Sequence, residues 1–469
     1  MHGISLDRTS TVPVARQLAT ALRAAIHDGS LAGGERLLSS RRLAEELGLS
    51  RRLVAEVYDQ LASEGYLRAR QGSGTEVVDG LAMAASAQAR QVRSQTERPP
   101  ERPSRIRWDF TAGIPDLDGF PRKAWMRAMD RALSFASARE LSYGPAAGDG
   151  RLRQAIAAYL QRQRGMAPDP ERIVLGAGTA GCLDLLTRAA AWSEAWCEDP
   201  GLGYARANFR DAGLVIRDLA VDSQGADPVH CQDMAMRSLV YLTPSHQFPT
   251  GALLPVPRRI QFLDLARRRQ ALVVEDDYDS EFRLRTPPVP PIWQLGPEQV
   301  LYLGSYSKVL APFLRLSYMI APDHLVEPLL ERCRTLNIRG SLPSQRALAY
   351  LLEDGVLDAH VYRQRKELAK RLDIVERFIV RHWSGQVSWS GNATGSHLYL
   401  RFSDRSFDDT FFATCERQGL RLIPPAGFHA RTGGTGKDLL LGYANIKLDD
   451  LEGGLSALAG LVDGQRPKS

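Results

Sequence analysis

Apolar side chains recur every three or four positions through the first 80 residues, and after about residue 107 the rhythm changes. In "VARQLATALRAAIHDGSL" they fall at Leu18, Leu22, Ala25 and Ile26, one stripe of a helix that stops at Gly29. "SSRRLAEELGLSRRLVAEVYDQLASEGYL" predicts a helix, a tight turn and a second helix. Ser40 is positioned to cap the first helix, with Leu43 and Leu47 inward, while Gly48 allows a left-handed turn and Ser50 caps the second. Val54, Val57, Tyr58 and Leu61 form the buried stripe of that second helix, and "YLRARQGSGTEVV" reads as two short strands around a Gly-Ser-Gly turn. Beyond residue 107, short apolar runs such as "RIVLGAG", "SLVYLTP", "ALVVEDD" and "VLYLGSY" alternate with helical stretches. That alternation predicts an α/β fold with a mostly parallel central sheet.

Between these regions, residues 81–107 hold six arginines and three prolines and few large apolar side chains. Such a stretch cannot bury enough surface to fold alone, so it predicts a flexible basic linker. The expected plan is a winged helix-turn-helix at 1–80, the linker at 81–107 and an α/β domain at 108–469. A length of 469 residues agrees with more than one domain.

Charge and cysteine usage narrow the partners. Net charge is +6, yet the first 79 residues hold ten arginines and ten acids, so any polyanion contact there must come from clustering rather than total charge. No apolar run is long enough to span a membrane and the first residues lack a secretory apolar block. The five cysteines form neither a Cys-x-x-Cys pair nor a Cys/His metal spacing. A cytoplasmic protein with no metal site is the expectation.

A helix-turn-helix offers the start of its second helix to the major groove. Arg51 and Arg52 stand at that start, Arg41 and Arg42 near the start of the helix before it, and Arg68 and Arg70 on the wing. An arginine fork holds either a phosphate or the O6/N7 edge of guanine. The competing reading is a solvated helical hairpin whose arginines pair with Glu45, Glu46 and Glu56. The expected DNA-facing set is Arg41, Arg42, Ser50, Arg51, Arg52, Arg68 and Arg70, with Gly72 and Gly74 in the wing. "GERLLSSRRLAEELGLSRRLVAEVYDQLASEGYLRARQGSGTEV" resembles the winged helix of GntR-type bacterial regulators over about residues 12 to 79. One departure is Leu38, where that family usually has proline.

The chain has 60 basic residues but only seven lysines, and one of them, Lys308, follows the apolar run "VLYLGSYS". An amine condenses with an aldehyde and a guanidinium does not readily do so, which points to pyridoxal 5'-phosphate. Its phosphate wants backbone N–H groups at a helix N-terminus, hydroxyls and an arginine; its ring nitrogen wants a carboxylate and its phenolic oxygen a donor. Gly178, Thr179 and Ala180 in "GAGTAGCLDLL", with Ser305, Ser307 and Arg315, supply the first set. Asp276 and Tyr278 in "VVEDDYDSEFR" supply the others, and His246 and Gln247 in "SHQFPTG" are further hydrogen-bonding groups, or else a helix-entry turn satisfied by its own backbone. Each piece alone is weak, and their order along the chain gives them weight.

That order resembles fold-type-I aminotransferases. The whole chain resembles the MocR subfamily of GntR-type regulators, most closely in "LTPSHQFPTG", "EDDYDSEFR", "GSYSK" and "YGPAAGDGRLRQAIAAYL". The resemblance implies a head-to-tail homodimer in which Tyr143 reaches the cofactor phosphate of the neighbouring subunit. Two departures stand out. In "PGLGYAR", Leu202 occupies the place of an aromatic that would stack on the cofactor ring, which leaves open whether Tyr204 substitutes for it. Asn445 lies near where amino-acid aminotransferases keep an arginine for the substrate carboxylate; Arg206 and, more weakly, Arg431 remain effector-binding candidates, or else are surface arginines. The implied function is a regulator that reads an operator in double-stranded DNA. It would sense an amino compound, or the cofactor itself, through aldimine exchange at Lys308. The alternatives are an active aminotransferase carrying a DNA-binding appendage, and an architectural DNA-binding protein without cofactor.

Overall fold

The computed structural model describes residues 6–80 except 71–73, and residues 106–465 except 139, 286–288, 337–339, 393 and 431–435. The chain forms two compact units, 1–102 and 103–469. The 81–107 stretch lies, but for its last two residues, outside the described residues.

In the first unit, helices α1 (Val14–His27), α2 (Ser40–Leu47) and α3 (Arg51–Ser63) precede a two-stranded antiparallel wing, β1 (Leu67–Arg70) and β2 (Gly74–Val77). The apolar stripes meet in one core of Leu18, Leu22, Ile26, Leu43, Val54, Val57, Leu61, Leu67 and Val77. Gly48 ends α2 at φ 64°, ψ 38°, where a side chain is strained. Ser50 caps α3 by accepting the Leu53 N–H at 3.2 Å. The cap of α2 corrects the sequence reading: Ser39 accepts the Arg42 N–H at 3.3 Å, because Ser39 keeps extended backbone angles and Ser40 is already helical.

The second unit opens with β3 (Trp108–Asp109). It continues through β4 (Ile173–Gly176), β5 (Glu194–Asp199), β6 (Val215–Asp222), β7 (Gly225–Ala226), β8 (Leu239–Leu242), β9 (Leu272–Asp277), β10 (Val300–Ser305) and β11 (Ser317–Ile320). The last four are β12 (Val387–Ser390), β13 (His397–Phe402), β14 (Leu420–Arg421) and β15 (Asp438–Gly442). Eight of these strands form one sheet in the order β4-β11-β10-β9-β8-β5-β6-β7. β10, β9, β8, β5 and β6 run parallel, while β11 is antiparallel to both β10 and β4.

Burial on both faces explains the unbroken apolar runs of the central strands. Along β9, Val273 joins one core cluster and Val274 the other, and along β10 Tyr302 and Leu303 divide in the same way. Register then aligns the strand ends. Ser305 of β10 pairs with Ser317 of β11, which pairs with Gly176 of β4. The loop after β4, the end of β9 and the turn after β10 therefore open at one edge, where open α/β sheets hold ligands. A smaller antiparallel sheet, β12-β13-β15, packs with the helices Val356–Trp383 and Leu448–Asp463. Among the described residues no helix is long and apolar enough to cross a membrane.

Candidate functional site

At one end of the cleft, Gly178 turns the chain at φ 83° into the helix Thr179–Ala189, and no side chain caps that helix. Its first N–H groups are left for an anion. Arg315, in the left-handed region at φ 51°, brings its guanidinium across the turn and donates to the Ala177 carbonyl at 3.1 Å. A Cβ on Gly178 would stand 2.9 Å from the Arg315 guanidinium carbon, so only glycine leaves this approach open. Ser305 donates to Ser307 Oγ at 3.0 Å and accepts from the Ser307 N–H and from Ser317 Oγ, each at 3.2 Å. The Ala180 carbonyl accepts from Asn208 at 3.2 Å.

Asp276, the penultimate residue of β9, is 1% exposed. Its Oδ2 accepts from Tyr204 Oη at 2.9 Å and from Tyr241 Oη, while Oδ1 has no partner. Burial pushes its pKa up to about 6, against the two tyrosine hydroxyls, which pull it down. A buried carboxylate with one empty oxygen is suited to a cationic N–H such as a pyridinium. Tyr278, 8% exposed, donates to the His246 carbonyl at 2.8 Å, and burial raises its pKa well above the ordinary range, so the phenol stays protonated.

Lys308 follows β10 and donates from Nζ to the Gly113 carbonyl. Burial lowers its pKa, with Asp279 and Asp276 opposing, so the neutral amine needed for attack on an aldehyde costs less here than in water. His246 contacts Asp279 Oδ2 through Nδ1 at 2.7 Å, packs at a tilt against His397 with ring centroids 4.7 Å apart, and leaves Nε2 unpartnered. The cleft thus presents an amine, an acid with an orphaned oxygen, a phenol and an anion cradle, and this set fits pyridoxal phosphate.

The structure thus brings Lys308, Asp276, Tyr278, Tyr204, His246, Ser305, Ser307, Arg315, Gly178, Thr179 and Ala180 to one edge of the sheet. Tyr204 places its hydroxyl on Asp276 and Tyr241, so it holds the carboxylate in position. Gln247 takes the second of its two readings, a turn satisfied locally. Its amide donates to the Pro200 and Phe248 carbonyls and its oxygen accepts from Thr250, which commits it to the loop. Arg206 is engaged within the protein. Its guanidinium is bound to Asp218 at 2.5 Å and to the Glu198 carbonyl at 3.0 Å, so its charge is already met. Arg431 lies outside the described residues. Tyr143 is 78% exposed.

Sequence reasoning missed Tyr241, Asp279, Gly113 and His397. Tyr241 had one signal, a hydroxyl in the otherwise aliphatic run "SLVYL". Gly113 had none, because it meets Lys308 from 195 residues away.

In the first unit, Arg51 and Arg52 begin α3 and are exposed. Arg52 pairs with Glu56 at 2.9 Å, Arg41 with Glu45 at 3.2 Å and Arg68 with Glu76 at 3.5 Å, whereas Arg42 and Arg51 have no acidic partner among the described residues. Gly74 opens β2 at φ 97°; the Arg70 side chain and Gly72 lie outside the described residues.

Two family models match the chain: bacterial regulatory proteins of the gntR family over residues 14–77, and aminotransferase class I and II over 107–435. The chain is 32% identical to the probable rhizopine catabolism regulatory protein MocR of Rhizobium meliloti, covering 97% of this chain and 94% of that one. It is 33% identical to the pyridoxine biosynthesis transcriptional regulator PdxR of Corynebacterium glutamicum, covering 80% of each. The solved structure of LysN, the alpha-aminoadipate aminotransferase of Thermus thermophilus complexed with N-(5'-phosphopyridoxyl)-L-leucine, aligns with a TM-score of 0.68 at 25% identity. The alignment covers 76% of this chain and 92% of that one. A winged helix joined to an aminotransferase-like domain defines a DNA-binding transcription regulator. The chain belongs to the MocR subfamily of GntR-type regulators.

Proposed function

We propose that this regulator holds pyridoxal 5'-phosphate on Lys308 and changes its DNA binding when a small amine takes the lysine's place. The observation that carries the reading is the buried Asp276 with its partnerless Oδ1, on the same sheet edge as Lys308 and the Arg315–Gly178 cradle. When bound, the cofactor supplies an aldehyde that primary amines capture and exchange. Arg315, Ser305, Ser307 and the N-terminus of the Thr179 helix anchor the phosphate. Asp276, fixed by Tyr204 and Tyr241, faces the ring nitrogen, and Tyr278 serves the phenolic oxygen. A Lys308 amine released from the cofactor would be free to donate to the Gly113 carbonyl, as it does in this structure, and would so bias the large domain between two states.

The domain plan 1–80, 81–107 and 108–469 gives the signal a route through a basic tether to two winged helices. In a head-to-tail homodimer, the exposed Tyr143 would reach the neighbouring subunit's cofactor phosphate. Coupling of about 1–3 kcal/mol between amine and operator is the ordinary size for such control. The name of the Corynebacterium relative agrees with the cofactor itself being a signal.

A second reading, sustained transamination, is favoured by the likeness to the Thermus aminotransferase. Turnover separates the two, since an enzyme would convert an amino donor and a keto acid at roughly 1 per second or faster. The central test is Lys308→Ala in the full chain. The expected result is loss of the cofactor's visible absorbance band and of amine responsiveness, with basal operator affinity kept. An unchanged band in that variant removes Lys308 from the reading.

A further inference from the structure

Three buried side chains, His246, Asp279 and His397, have no part in the cofactor contacts proposed above; they are 1%, 2% and 1% exposed. They come from three places: the loop after β8, the turn after β9 and the first residue of β13. Far apart in the sequence, they have no local spacing that could announce them. The fold makes room for them with residues that lack side chains. A Cβ on Gly395 would stand 2.5 Å from Asp279 Oδ2, and Cβ atoms on Gly251 and Gly391 would stand 3.0 and 3.5 Å from His246 Nε2.

Each histidine has one ring nitrogen engaged. His246 Nδ1 lies 2.7 Å from Asp279 Oδ2, and His397 Nε2 lies 3.2 Å from the Pro249 carbonyl oxygen. Both partners are acceptors, so these two nitrogens carry the ring protons. The Tyr278 hydroxyl, 3.3 Å from the same Nδ1, gives its own proton to the His246 carbonyl. The opposite nitrogens, His246 Nε2 and His397 Nδ1, then hold bare lone pairs, and both are buried without a partner. An imidazole with one N–H fixed on a carboxylate or backbone carbonyl, and its other nitrogen bare, is the form that ligates metal ions. One donor atom from each of His246, Asp279 and His397 lies within 4.8 Å of the other two. Around a four-coordinate ion bonded at about 2.0–2.1 Å, donor atoms stand roughly 3.3 Å apart, a gap that side-chain rotation closes. A carboxylate can orient the first imidazole with one oxygen and meet the ion with the other.

We propose that His246, Asp279 and His397 form a site for a divalent transition-metal ion of the zinc class, with water as the fourth ligand. Two imidazoles and a carboxylate suit zinc, cobalt or nickel, whereas magnesium and calcium favour shells of oxygen. The ion ties the loops after β8 and β9, at the edge of the large sheet, to the small sheet through His397. A cavity of about 320 Å3 lined by Thr250, Ser390 and Tyr399 opens beside the site, since Thr250 precedes Gly251 and Ser390 precedes Gly391. The proposal does not depend on the cofactor reading.

The test strips the cofactor-free full chain of metal with a chelator and titrates it with Co2+, whose visible absorption reports four-coordinate binding. Cofactor is left out because it absorbs in the visible itself. One Co2+ per chain is expected, displaced by Zn2+ and unaffected by excess Mg2+. His397→Gln and Asp279→Asn should each weaken Co2+ at least about tenfold. His230→Gln, at an exposed histidine outside the cluster, should bind like the parent. Zn2+ should also raise the thermal midpoint of the parent and not of the two ligand variants. A parent chain that takes up no Co2+ overturns the proposal and leaves the two lone pairs to a buried water. A parent-like Co2+ spectrum in both ligand variants overturns it as well, by moving the ion elsewhere. Should His397→Gln fail to fold, the parent titration and Asp279→Asn, which keeps the side chain's volume, decide between the same outcomes.

Discussion

Arg315 lies across Gly178: its Nη2 donates to the Ala177 carbonyl, 138 residues away along the chain, and a Gly178 Cβ would stand 2.9 Å from its guanidinium carbon. The two meet because β4 and β10 flank β11, and register brings Gly176 and Ser305 level across Ser317. An anion cradle is thus built from a turn that must lack a side chain and an arginine that must cross it.

Gly178→Ala should therefore separate folding from cofactor binding. An alanine at φ 83°, ψ 163° costs about 1–3 kcal/mol in backbone strain, which a domain of this size tolerates. The added methyl also pushes Arg315 off the turn. Cofactor affinity is expected to fall at least about tenfold, with the far-ultraviolet circular dichroism of the cofactor-free protein unchanged. Retained affinity would show that the phosphate is held elsewhere.

Asp276 predicts a pH dependence whose sign is fixed by burial. Without cofactor its pKa stands at about 6 rather than the ordinary 3.8. Below about pH 4 the acid is protonated both folded and unfolded, and it costs nothing. As the pH rises from about 4 to 6 the unfolded chain ionises first, so the folded state loses stability, by about 3 kcal/mol at the limit of this shift. Asp276→Asn removes that loss. In urea melts of cofactor-free protein, the variant's stability relative to the parent should climb between about pH 4 and 6 and level off above. With cofactor, the variant should bind more weakly than the parent. A gap that is flat with pH would mean that Asp276 ionises freely.

Much of this site was legible because its pieces are local: small residues after one strand, acids after another, a lysine and an arginine around a third. Periodicity likewise announced the helices of the first unit and the doubly buried strands of the second. What could not be read depends on distant partners. Tyr241 reaches Asp276 only because β8 and β9 are parallel neighbours. Arg206 looked available in sequence, and it is occupied because β5 and β6 pair beside it and deliver Asp218. Ser39 and Ser40 are chemically identical choices for a cap, separated by backbone angles that no composition reveals.

The start of α3 predicts how the first unit meets DNA. Arg51→Ala and Arg52→Ala should each weaken operator binding, and each lost phosphate contact should lower the slope of log affinity against log salt by about 1. Fluorescence anisotropy across a salt series checks this. Binding unchanged in both variants would move the contact surface away from this helix.

Arg8 offers a different kind of control over the same helix. Its Nη2 donates to the Leu47 carbonyl at 3.1 Å and the Gly48 carbonyl at 2.9 Å, satisfying the end of α2 where the chain turns toward Ser50 and Arg51. A cation there also opposes the negative end of the helix dipole. The arm that carries it is anchored through Gln17, which accepts from the Asp7 N–H and donates to the Asp7 and Val12 carbonyls. Arg8→Met should leave two carbonyls without their donor and cost the first unit about 1 kcal/mol. It should weaken operator binding by roughly three- to tenfold through a looser turn. Because Arg8 is assigned to protein carbonyls rather than phosphates, the salt slope should stay at the parent value, and Arg8→Lys should recover part of the affinity. A slope that drops with Arg8→Met would instead place this arginine on the DNA backbone.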